Sequence, residues 1–308
     1  MKKLWTLIIS FFCMLSLSAQ EGGRMSFELY PEFQGDTLLV LTYSDSAYNL
    51  AIRQSLAEYW NITPVKYVNE KELFKLANSD KYSMLVRDNS QKTRGRSVIK
   101  RSHLCIFPCG RSADLTKYGG KYAISQYSIK KIDDSTPYLK KLPFLVKSMQ
   151  AYIQFLGATE NLDEDTFEPE LTKWKNQGRT ALTDITLVVA AKDLSNGMTE
   201  SSLKSAYKLP LKVVKNEEIG KFSTMEEGQK ALMFLDARKR YLSVIDEKGQ
   251  LLYHNELANP GELSNKDFKT MSKNAGKPFA EGKSFEARLN KLNKKVNSKL
   301  SSTPKEKE

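Results

Sequence analysis

The chain has 308 residues and a mass of 35.0 kDa, with 48 Lys+Arg against 36 Asp+Glu and a net charge of +12. With 40% apolar and 27% charged residues it has an ordinary globular composition, which excludes collagen-like, coiled-coil and wholly disordered chains. Three cysteines exclude a disulfide scaffold, and the length suits two domains.

The chain opens as a secretory signal. Lys2 and Lys3 precede an apolar run from Leu4 to Leu17, and Leu17-Ser18-Ala19 places small residues before Gln20. The run is shorter than the ~20 residues a spanning helix needs. Cys13 lies inside it, which argues against a lipid-modified N-terminal cysteine. The expectation is a signal peptide over 1–19 and a soluble periplasmic protein with no transmembrane span after cleavage. The mature charge is uneven: residues 264–308 carry +7 and residues 20–263 only +3.

Asp36 to Tyr43 is a compact apolar run that predicts a buried strand. Tyr48, Ile52, Leu56 and Tyr59 then recur at helical spacing, and Thr63-Pro64 ends that helix. Val65 to Val68 predicts a strand, Asn69 with Glu72 a helix start, and Tyr82–Val86 and His103–Phe107 two further strands. A second stretch repeats this order. Asp184 to Ala191 is a strand, Thr199 opens a helix with Leu203, Ala206 and Tyr207 on one face, and Leu209 to Val214 is a strand. Asn216 to Ile219 echoes Asn69 to Leu73. Ala231–Leu235, Tyr241–Ile245 and Leu251–His254 follow as strands. The expected fold class is α/β, with two similar β-α-β-α-β-β halves offset by about 147 residues, Rossmann-like in alternation.

Each half is expected to end in a packed helix. Leu142, Val146, Met149, Ile153 and Leu156 mark the first, with Pro143 at its start. Phe285, Leu289, Leu292, Val296 and Leu300 mark the second, whose other face carries Arg288, Lys291, Lys294, Lys295 and Lys299. The domain reading is 20–158, an acidic linker over 159–180, 181–300, and a disordered tail over 301–308.

Neither strand-to-helix turn carries a phosphate loop: Ser44-Asp45-Ser46-Ala47 has no glycine, and Gly197 stands alone in the second. No cofactor is therefore expected. His103 and Cys105 share a strand face, but with Cys109 they fall short of the four ligands of a structural zinc site, so no metal is expected. His254 is expected to be a solvated polar residue. Cys105 and Cys109 read as two separate thiols; a local disulfide is the alternative, and it requires a turn at Phe107-Pro108. No hydrolase motif is present, and no catalytic residue is expected.

Residues 87–101 hold Arg87, Lys92, Arg94, Arg96, Lys100 and Arg101 against Asp88 alone. Their +5 exceeds the +3 of the whole body. They read as a connection between strands, ordinary as a solvated hairpin loop and otherwise suited to contacting an anion or a protein. The expected function is non-catalytic: binding an envelope protein or an anionic lipid or lipopolysaccharide surface, with no nucleic acid. The alternative is a small molecule in the cleft between the halves.

Overall fold

The computed structural model describes residues 20–21, 26–94, 97–110, 123–129, 138–222, 230–235, 241–259 and 261–277. The signal segment 1–19, the helix expected over 284–300 and the tail 301–308 lie outside the described residues.

Thr37-Leu38-Leu39-Val40-Leu41 forms β2, and its three central residues are fully buried because both faces of the strand are covered. Asp45 then caps helix α2 (Ser46–Tyr59), its carboxylate accepting the Tyr48 N–H at 3.0 Å. β3 (Val65–Val68) pairs parallel to β2. Asn69 caps α3 (Glu70–Leu76) by accepting the Glu72 N–H at 2.9 Å. β4 (Tyr82–Arg94) returns parallel to β2 on its other side, and β5 (Ser97–Pro108) and β6 (Ser125–Ile129) add antiparallel strands. The short β1 (Gln20–Glu21) pairs with β6, and α1 (Ser26–Phe33) precedes β2. The sheet order is β1-β6-β5-β4-β2-β3.

The second half repeats this plan. β7 (Thr186–Ala190), α6 (Glu200–Ala206), β8 (Leu211–Val214), a 3-10 turn (Asn216–Phe222), β9 (Lys230–Leu235), β10 (Tyr241–Asp246) and β11 (Leu251–Glu256) follow in the same sequence. Their order is β11-β10-β9-β7-β8, with the same parallel and antiparallel senses. Single hydrogen bonds recur as well. Leu38 N–H donates to the Pro64 carbonyl at 2.8 Å, and Leu187 N–H to Pro210 at 2.9 Å. Trp60 closes α2 on Leu56 at 3.0 Å, as Tyr207 closes α6 on Leu203 at 2.7 Å. The two similar halves expected from the sequence are present, the first with two strands more than the expected order and the second with one.

The halves stack front to back. Leu38 and Val40 face a central core, whereas Leu187, which makes the matching hydrogen bond, faces the outer core of the second half. Helix α4 (Tyr138–Ala158) lies in that central core. Its Leu142, Phe144, Met149 and Tyr152 share one apolar cluster with Tyr48 and Ile52 of α2 and with Val188, Ile219 and Phe234 of the second half. Phe144 meets Phe234 edge-on at 6.3 Å. The helix read as closing one half therefore joins both. Pro143 lies inside α4, not at its start, and its missing N–H removes one bond from the second turn.

The acidic segment over 159–180 is itself folded. It contains α5 (Phe167–Gln177), with Phe167, Leu171 and Trp174 buried at helical spacing and Trp174 stacked on Phe155 at 5.2 Å. Its acids have local work. Asp163 accepts the Thr166 N–H and hydroxyl, both at 2.8 Å, and Glu168 and Glu170 face the positive helix end. Part of the basic C-terminal region also folds: α7 (Asn265–Asn274) buries Phe268 and Met271 against α6. No helix among the described residues is long and apolar enough to cross a membrane.

Candidate functional site

Open α/β sheets bind ligands outside the carboxyl ends of their strands, where successive connections diverge. Here that point lies between β2 and β4, and again between β7 and β9. Both are occupied by the chain's own ion pairs. In the first half, Arg87 Nη1 donates to Asp45 Oδ2 at 3.2 Å. Its guanidinium lies 4.1 Å from the Tyr43 ring centroid and 4.2 Å from that of Tyr48. The Arg87 N–H donates to the Tyr43 hydroxyl at 2.6 Å. Burial pushes the Tyr43 and Tyr48 hydroxyls up, so both stay protonated. With its side chain only 12% exposed, Arg87 is a structural cation and not the surface contact expected.

In the second half, Lys141 reaches from α4 to Asp193, just beyond β7. Its Nζ also donates to the Met233 carbonyl at 3.2 Å and lies 5.0 Å from the Phe234 centroid. Its two members lie 52 positions apart, so nothing local in the sequence marks this pair.

The other expected cations lie on paired strands and not on a connecting loop. β4 and β5 pair in unbroken register from Ser83↔Pro108 to Arg94↔Ser97. Ser90 faces Arg101, Gln91 faces Lys100, and Lys92 faces Ile99. Arg96 lies outside the described residues. β2 pairs with β4 only as far as Leu85, and β6 with β5 only as far as Ser102. Beyond those rows, and among the described residues, the hairpin is a two-stranded ribbon of about 17 Å. The matching hairpin of the second half pairs only from Ala231↔Asp246 to Leu235↔Leu242.

Register sorts the cations. Positions two apart share a face. Positions 92, 94 and 101 fall on the face of Met84, Cys105 and Phe107, which is the outer core of the first half. Position 100 falls on the face of Leu85 and Leu104, which is the central core.

A groove of about 970 Å³ runs between the halves. Leu50, Gln54 and Glu58 of α2, Lys140 of α4, and Lys192 and Asn216 of the second half line it. Leu50 is 59% exposed. Asn216 Oδ1 is shut from solvent without a hydrogen-bond partner among the described residues.

Cys105 and Cys109 are both buried, and burial pushes the Cys109 thiol up to about 12. Strand β5 runs through Phe107-Pro108 without the turn a disulfide requires. His254 is not simply solvated. It bonds Ser243 Oγ through Nδ1 at 2.9 Å and stacks on Tyr241 at 5.3 Å, and burial, with Lys175 nearby, pushes it down to about 3. No group of three His, Cys, Asp or Glu side chains among the described residues could hold a metal ion. Comparison with protein-family models, with characterised proteins and with solved structures finds no match to this chain.

Proposed function

We propose that the protein is a non-catalytic, exported binding protein of the cell envelope that engages its partner through the β4–β5 ribbon. One observation carries this reading. Among the described residues, the second half repeats the order of β6-β5-β4-β2-β3 without any such extension. The extra rows are therefore not required by the fold, and they hold Lys92, Arg94, Lys100 and Arg101. Concentrated positive charge on a projecting ribbon speeds encounter with an acidic partner or anionic surface.

Reversing Arg94, Arg96 and Lys100 to Glu is expected to lower the association rate at least tenfold, flatten its salt dependence and leave the melting curve unchanged. Surface plasmon resonance against a membrane extract, repeated across salt concentrations, checks this. The same partners captured at the same rate would remove the ribbon from the account.

The groove supports a second reading, a small molecule held between the halves. Asn216 Oδ1 and the exposed Leu50 favour it. A ligand that raises the melting temperature equally in the wild type and the ribbon variant would select it.

A further inference from the structure

We infer that the outer face of the first half docks on an anionic lipid surface, with one side of the ribbon and the exposed stripe of α3 lying against the headgroups. This rests on the ribbon being the binding element and adds which face is used and what it meets. The ribbon positions 92, 94 and 101 share the face of the outer core, and position 100 does not. On the same side of the sheet, α3 buries Leu73 into that core. Its residues at 71, 74 and 75 lie at helical spacing on the solvent side. They are Lys71, Phe74 and Lys75, all exposed, with Phe74 52% exposed, and the exposed Glu70 stands beside them.

The outer face thus brings the cation positions 71, 75, 92, 94 and 101, on two separate elements, together with an exposed aromatic ring, and they outnumber the acid positions 70 and 88 on the same side. That is the pattern of interfacial binding, in which Lys and Arg meet headgroup phosphates and the ring enters the boundary beneath. Attraction falls off within a Debye length, about 8 Å at physiological salt, so face matters as well as charge. The inner face of the ribbon would stand off by the ribbon's own thickness.

The test is co-sedimentation of the exported chain with vesicles of phosphatidylglycerol and phosphatidylethanolamine, against phosphatidylcholine alone. Two variants change the charge equally. Lys92→Glu with Arg94→Glu alters the outer face, and Gln91→Glu, Thr93→Glu and Lys100→Glu together alter the inner face. The wild type is expected to bind the anionic vesicles only. The outer variant should lose at least tenfold in affinity, Phe74→Ser at least threefold, and the inner variant less than threefold, all with unchanged melting curves. Equal losses from both ribbon variants would overturn the face assignment. Absence of wild-type binding to anionic vesicles would overturn the lipid inference. If a protein were still captured in a manner sensitive to the Arg94, Arg96 and Lys100 reversal, the partner would be an acidic protein and the ribbon reading would stand. If that capture were insensitive, both would fall.

Discussion

Lys141→Ala is expected to destabilise the protein by about 3–5 kcal/mol, the cost of leaving a buried charge without its partner. The Lys141 side chain is 1% exposed and that of Asp193 8%. Truncating the lysine strands the Asp193 carboxylate and opens a void beside Phe234, and it also removes the bond to the Met233 carbonyl. The pair ties α4 to the strand ends of the second half, so its loss acts where the halves meet. Replacing both members, Lys141→Met with Asp193→Leu, should recover most of the stability, because neither charge then has to be desolvated. Urea denaturation of the two single variants and the double variant measures this. One transition is expected throughout, because one apolar cluster runs through both halves. A loss below ~1 kcal/mol for Lys141→Ala would show that the pair is solvated.

Gly249→Ala is the second large effect, about 3 kcal/mol. Gly249 has φ +86° in the turn between β10 and β11, a conformation that L side chains rarely adopt. A Cβ there would also lie 2.6 Å from the Lys147 carbonyl oxygen in α4. The turn would have to lift from the helix, disturbing the contact between the second sheet and α4. Gly197 provides the control. It has φ +82° with nothing within 4 Å of a built Cβ, so Gly197→Ala should cost only the backbone strain, about 1 kcal/mol. Thermal melts of the two variants separate strain from close approach. Equal losses would mean that the turn does not rest on the helix.

Elements whose signal is local were readable from sequence. The apolar run of β2, the Asn69 cap and the spacing of Tyr48, Ile52 and Leu56 each specify structure within a few residues. The duplication was readable because those signals recur in order. What was hidden depends on distant partners. Arg87 reads as one of six surface cations, and only the fold brings Tyr43, Asp45 and Tyr48 around it. Acids near α5 read as a linker because helix-capping acids and linker acids have the same composition. Helix α7, with Lys266, Lys269 and Lys273 among ten residues, has only two large apolar anchors and blends into the basic tail. The ribbon read as a loop because Asn, Ser, Gln, Lys and Thr follow one another there without apolar alternation, and only the pairing of β4 with β5 marks it as strand.

The central claim is that the ribbon serves binding and not folding. It is tested most directly by replacing residues 89–102 with Asn-Gly, a pair suited to a two-residue hairpin turn. This shortens the first hairpin toward the length of the second. Melting temperature and partner capture are then measured on the same preparation. The account predicts a melting temperature within about 4 °C of the wild type and at least a tenfold loss of capture from envelope membranes. An unfolded variant, or a folded one that captures its partners undiminished, would contradict it.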